Sequence, residues 1–142
     1  MESRTQRAVD LYVKEHKNCA QAVALTYKDL VYLKEEDANA AMFGFGHGMG
    51  GRMATCGAIS GAVYLAGLQA YQDGKSQQEL HEVSKEITKR FYDQHGTITC
   101  KELKDPKSGH FASCLDCIRD ASKLCEDVLF PKAFDQGTKK SQ

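Results

Sequence analysis

Apolar residues recur at three- and four-residue intervals through most of this chain, and nowhere do they alternate at two. Over residues 4 to 15, Ala8, Leu11 and Tyr12 share one side, widened by Val9 and Val13, which predicts a short amphipathic helix. His16-Lys17 breaks the pattern. Asn18 is then placed to cap a second helix whose inward stripe is Cys19, Ala22, Val23, Thr26, Tyr27 and Leu30. A third, short helix fits Glu35 to Phe43, with acidic residues at its positive end and Gly44 to stop it. Farther on, Ser76-Gln77-Gln78-Glu79 is a capping-box pattern, followed by Leu80, Val83, Ile87 and Phe91 at helical period up to Gly96. Thr99 to Leu103 reads as one helical turn. Ser113 can cap a last helix with the stripe Cys114, Cys117/Ile118, Ala121, Leu124/Cys125 and Val128, which Pro131 should end.

Between these segments lies Phe43 to Leu68, FGFGHGMGGRMATCGAISGAVYLAGL. Glycine stands at 44, 46, 48, 50 and 51, a density that predicts a tight, irregular turn with positive φ. A helix of small residues should follow, capped by Thr55, with Cys56 in its first turn and Tyr71 near its end. Gly57, Gly61, Ala54, Ala58 and Ala62 would let another backbone come near. The expected fold is therefore all-α: one domain over 1–142, with a core from about 4 to 130 and a polar tail at 136–142. Five or six helices should pack around the central Gly/Ala/Cys-rich one. Thr97-Ile98-Thr99 is too short to seed a sheet.

Composition narrows the function classes. Lys+Arg and Asp+Glu number 19 each, so no global field favours nucleic acid or an anionic membrane. Met53 to Tyr71 carries no charge, but glycines, Thr55, Ser60 and Gln69 dilute it, and a buried helix explains it better than membrane insertion. The first residues, MESRTQRAVD, lack a secretory signal's apolar core, so a cytoplasmic location is the default expectation. In that reducing setting, six cysteines point to catalysis, metal binding or burial before a disulfide framework.

Four of the six directly follow a good capping residue: Asn18-Cys19, Thr55-Cys56, Thr99-Cys100 and Ser113-Cys114. Sulfur at a helix start meets unpaired amides and the positive end of the dipole, which should lower the thiol pKa and suit it to redox or metal chemistry. Cys114-Leu115-Asp116-Cys117 is the one C-x-x-C; its sulfurs share a helix face and can join in a disulfide or ligate one ion. Cys125 reads as core. His47, inside the glycine turn, is the histidine best placed to approach Cys56 as ligand or proton acceptor; His16, His81, His95 and His110 are expected to face water. A phosphate loop is disfavoured, since no strand precedes the glycines and no Lys-Ser/Thr follows them.

The set Asn18-Cys19-Ala20-Gln21-Ala22-Val23, the Phe-Gly-rich turn, Cys56-Gly57-Ala58-Ile59-Ser60-Gly61, Phe91 through Cys100-Lys101-Glu102-Leu103, and a cysteine opening the last helix resembles a prokaryotic family classed as redox-active. That family is named for its cysteine pattern, C…GCAxxG…C…C, and the resemblance spans about residues 18 to 129. It implies that Cys19, Cys56 and Cys100 are family positions, with the fourth at Cys117 or Cys114. The register of Ile118 to Ser122 favours Cys117, and capping favours Cys114. The two cysteines beyond four are a departure that can supply a resolving thiol. The resemblance implies a class of chemistry, not a reaction.

The expectation is a small oxidoreductase or electron-transfer protein in which Cys19, Cys56, Cys100 and Cys117 converge. They would hold an iron–sulfur cluster or another thiophilic metal, or cycle between dithiol and disulfide with an unnamed redox partner. The alternative is a non-catalytic binding module whose cysteines hold structural zinc or fill the core. The small-residue helix allows a homodimer without requiring one.

Overall fold

The computed structural model describes residues 1–134, so the tail expected at 136–142 lies outside the described residues. Within them run eight α-helices: α1 (Thr5–Glu15), α2 (Cys19–Thr26), α3 (Glu35–Met42), α4 (Gly57–Gln72), α5 (Gln77–His95), α6 (Cys100–Lys104), α7 (Cys114–Leu124) and α8 (Pro131–Phe134). Two 3-10 turns, Lys28–Val31 and Gly46–Gly48, and a π-helical segment, Cys125–Leu129, complete the architecture. No strand occurs among the described residues; Thr55 and Thr99 meet in an isolated antiparallel bridge. The fold is an all-α bundle. Six helices have eight residues or more, and α6 and α8 are short turns.

The small-residue helix α4 is the hub, with α2, α5 and α7 packed against it. Its side chains Ile59, Ala62 and Leu65 join Val23 and Tyr27 of α2, Ile87 and Phe91 of α5, and Ile118 and Ala121 of α7 in one buried cluster. Burying each such Ile, Leu or Phe contributes about 1.5–3 kcal/mol. Close approach of α2 and α4 depends on Gly61, where a Cβ would come within 2.7 Å of the Ala20 carbonyl oxygen. No helix among the described residues is long and apolar enough to cross a membrane.

Local signals set most helix ends. Asn18 and Gln21 form a reciprocal capping box at the start of α2, and Ser76 and Glu79 form another at the start of α5. Gly96, at φ 80°, closes α5 in the left-handed conformation. Asn18 also donates from Nδ2 to the carbonyls of Met42 (3.2 Å) and Phe43 (3.1 Å), which joins the end of α3 to the start of α2.

Elsewhere tertiary contacts override the local signal. Thr55 does not cap α4: it is held in the bridge to Thr99, while the Cys56 amide donates to Ile98 O at 2.8 Å. Cys56 is therefore the N-cap residue, and the helix starts at Gly57. Thr99 precedes α6 but makes no side-chain cap. The last long helix widens into the π segment at Cys125 and stops before Pro131, as expected, with Phe130 out of helical conformation; Pro131 then opens α8, a first position that proline's missing amide suits. In the π segment Glu126 is buried, and its Oε2 accepts from the Tyr27 hydroxyl (2.6 Å) and the Arg4 amide (2.7 Å). His95 does not face water; it stacks on Phe91 and pairs with Asp120 at 2.9 Å.

Candidate thiol site

Five of the six cysteines line a single cavity of about 90 Å³. Cys19 comes from the first residue of α2, Cys56 from the N-cap of α4, Cys100 from the start of α6, and Cys114 and Cys117 from the first turn of α7. Four helices thus bring their N-terminal ends to the same place. All four expected cysteines, Cys19, Cys56, Cys100 and Cys117, are brought together with Cys114, and Cys125 lies elsewhere in the core.

Glycine makes this convergence possible at two positions. A Cβ on Gly57 would overlap the Cys19 sulfur, so the turn from Cys56 into α4 can cross the start of α2 only with hydrogen there. Gly48, at φ 62°, bears the same relation to Cys100, whose Cβ it would overlap. The pairing of segments is completed by main chain: Cys100 N donates to Ala54 O at 2.9 Å, and Ala54 N to Gly48 O at 3.0 Å.

Exposure divides the thiols. Cys117, Cys56, Cys100 and Cys19 keep 1, 3, 5 and 9% of their surface, whereas Cys114 is partly exposed. Cys114 stands at the mouth and the others behind it.

Burial also overturns the simple electrostatic expectation for helix-start thiols. Desolvation, with Cys56 close by, pushes Cys19 up to about 11, although the His47 backbone amide hydrogen-bonds to it. Desolvation and the charge of Cys56 raise Cys100 as well. Cys56 is raised because it gives its hydrogen bond to Cys117 and is itself buried. Cys117, one turn inside its helix, moves the other way. It accepts that bond from Cys56, faces the Lys104 ammonium, and is lowered despite its burial. Of this pair, Cys117 ionises the more readily, because it accepts the bond from Cys56 and faces Lys104.

Lys104 reinforces the bond from Cys56. Its Nζ lies 3.6 Å from Cys117 Sγ and donates to Ala112 O at 2.7 Å. Burial works against its charge, but the sulfurs of Cys117, Cys114 and Cys56 outweigh that and raise its pKa. Arg52, Tyr12, Asn18 and His47 complete the lining. The Tyr12 hydroxyl is pushed up to about 12, first by its hydrogen bond with Cys114 and then by burial. His47 lies in the wall with a left-handed backbone, φ 55°, and its contact with a thiol runs from its main-chain amide to Cys19.

Sequence reasoning did not single out Lys104, Arg52 or Tyr12 for the site. Lys104 had a signal: it lies four residues after Cys100, on the same face of the same short helix. Arg52 had a weaker one, as the single charge between the glycine turn and the uncharged run.

As chemistry, the cavity offers soft thiol donors beside two cations. Among the described residues no three His, Cys, Asp or Glu side chains are drawn together as a ready metal cage, and all six cysteines are free thiols.

No curated protein and no solved structure matches this chain. A family model described as "Putative redox-active protein (C_GCAxxG_C_C)" matches residues 17–128, a span that holds all six cysteines. The central motif here reads Cys56-Gly57-Ala58-Ile59-Ser60-Gly61, and its two glycines are those on which the Cys19 sulfur and the Ala20 carbonyl rest. With its cysteines gathered at that motif, the chain belongs to this redox-active C_GCAxxG_C_C family.

Proposed function

We propose that the chain is a thiol redox protein whose working pair, Cys56 and Cys117, cycles between dithiol and disulfide. The supporting observation is that Cys56 and Cys117 line one cavity with Lys104 standing 3.6 Å from the Cys117 sulfur, the one of the two that ionises more readily. A thiolate next to a protonated thiol is the arrangement that exchange with a disulfide needs. In the full cycle a disulfide-bearing partner is reduced by two electrons to two thiols, and a bond forms between the Cys56 and Cys117 sulfurs. The two protons needed by the partner's sulfurs come from the protein dithiol or solvent. In a cytoplasmic, reducing setting the pair rests as the dithiol.

Redox titration against a thiol–disulfide buffer, followed by acid quenching, alkylation and peptide mapping, tests the reading. A two-electron transition ending in a Cys56–Cys117 linkage is the expected result. Its absence at every poise rejects the pair.

A second reading rests on five sulfurs from four helices around one small cavity. Cys19, Cys56, Cys100, Cys117 and Cys114 are the right kind of donor for an iron–sulfur cluster or zinc, which would supply one-electron transfer or a structural clamp. They would have to draw closer to enclose it. Metal and sulfide analysis of anaerobically purified protein, with its absorption spectrum, separates these: visible charge-transfer bands mark a cluster, and colourless stoichiometric zinc marks a structural site.

A further inference from the structure

Four of the five cavity thiols are almost completely buried and offer a disulfide substrate little surface. Cys114 is different: it is partly exposed, it occupies the first position of α7, and its neighbours are Tyr12 and Lys104. Cys117 is one helical turn deeper on the same face, within the reach characteristic of a C-x-x-C dithiol. Cys117 in turn accepts a hydrogen bond from Cys56. Lys104 lies 3.6 Å from Cys117 Sγ and lines the same cavity as Cys114, so one cation faces both α7 cysteines. Of the three, Cys114 is the exposed member, and Cys117 and Cys56 are both buried.

Resting on the Cys56–Cys117 reading above, we infer that Cys114 is the entry thiol of a three-cysteine relay, which takes up oxidising equivalents from a disulfide substrate at the surface and passes them inward. In the first step the Cys114 thiolate attacks one sulfur of the substrate. The substrate S–S bond breaks, a mixed disulfide forms on Cys114, and the leaving thiolate takes the proton that Cys114 gave up. In the second step the Cys117 thiolate attacks the Cys114 sulfur and releases the second substrate thiol, which is protonated from solvent. In the third step Cys56, losing its proton, attacks Cys117, and Cys114 leaves as a thiolate that regains that proton. The sum is one substrate disulfide reduced to two thiols and one Cys56–Cys117 bond formed. Cys114 is returned unchanged for another encounter. Lys104 steadies the negative charge at Cys114 and Cys117 in turn.

Glutathione disulfide serves as the probe, with full-length protein and mass spectrometric mapping of every cysteine. Cys117→Ser should stop the relay after its first step and hold one glutathione on Cys114. Cys114→Ser should slow formation of the Cys56–Cys117 linkage on the order of tenfold or more, since the probe must then reach a buried sulfur. Wild-type protein provides a measurement independent of either variant's folding: N-ethylmaleimide in brief pulses should label Cys114 before the other five. An unslowed Cys56–Cys117 linkage in Cys114→Ser overturns the entry role while leaving the inner pair intact, as does a glutathione adduct on Cys19 or Cys100 in Cys117→Ser. Glutathione on Cys114 of the wild type with no Cys56–Cys117 linkage at any probe concentration overturns the inner pair and the relay with it.

Discussion

The Lys104 ammonium stands 3.6 Å from the Cys117 sulfur, anchored from behind by its 2.7 Å hydrogen bond to the Ala112 carbonyl. That anchor fixes a half-buried cation where it has little freedom to follow solvent. The amide of Ala112 in turn donates to Leu103 O at 2.9 Å, so the loop that enters α7 and the helix that carries the lysine hold each other.

Replacing Lys104 with methionine keeps much of the side chain's bulk and removes the charge. The Cys117 thiol should then titrate higher and react more slowly at neutral pH. The pH dependence of iodoacetamide labelling at Cys117, read by mass spectrometry, measures this. Lys104→Arg should recover part of the effect. An unchanged profile in the methionine variant means that Cys56 alone sets the charge on Cys117.

Gly57→Ala places a methyl group on the Cys19 sulfur. The starts of α2 and α4 must then move apart, with an expected loss of about 1–3 kcal/mol in urea unfolding. Gly67→Ala in the same helix meets open space and should be neutral or slightly stabilising. Equal effects at the two positions would rule out close approach as the reason for Gly57.

Alkaline pH should weaken the fold. Cys19 is raised from 9.0 to about 11 by desolvation and by Cys56, so the folded protein keeps its proton where the unfolded chain has lost it. A raised acid adds stability that is fully present below the unfolded value, near pH 9, and is lost as pH climbs to the folded one. The contribution is on the order of 2–3 kcal/mol. Thermal unfolding between pH 8 and pH 11 should show the decline, and Cys19→Ala should lessen it, with the raised Cys56 and Cys100 thiols contributing the remainder.

Cys125 is fully buried, away from the cavity. Cys125→Ala should cost about 1 kcal/mol of stability and leave the Cys56–Cys117 redox transition where it was. A shifted transition potential would mean that the sixth thiol communicates with the site.

How much of this was legible beforehand depended on how local the cause was. The ends of α5 were plain because Ser76, Glu79 and Gly96 act within a turn of themselves, and α2 was plain because Asn18 and Gln21 form a complete local box. Thr55 looked like a cap by residue type, but a bridge to Thr99, far away in sequence, occupies its backbone. The π segment at Cys125 and the burial of Glu126 depend on partners at Tyr27 and Arg4, which no periodicity announces. At the site, the convergence of cysteines followed from glycine density and helix starts. The direction of the shifts among them did not, because properties of the assembled bundle outweigh the helix dipole: burial at Cys19 and Cys100, and at Cys56 the bond to Cys117 followed by burial.

The burial of the cavity thiols also bears on damage. Thiolates open to peroxide advance through sulfenic to sulfinic acid, a change that thiol reductants do not undo. Here the sulfur most inclined to ionise, Cys117, retains only 1% of its surface, with Cys56 beside it to seize any sulfenic acid as a disulfide. Overoxidation is thereby kept to the threshold residue Cys114, and the interior thiols stay on the reversible side of sulfur chemistry.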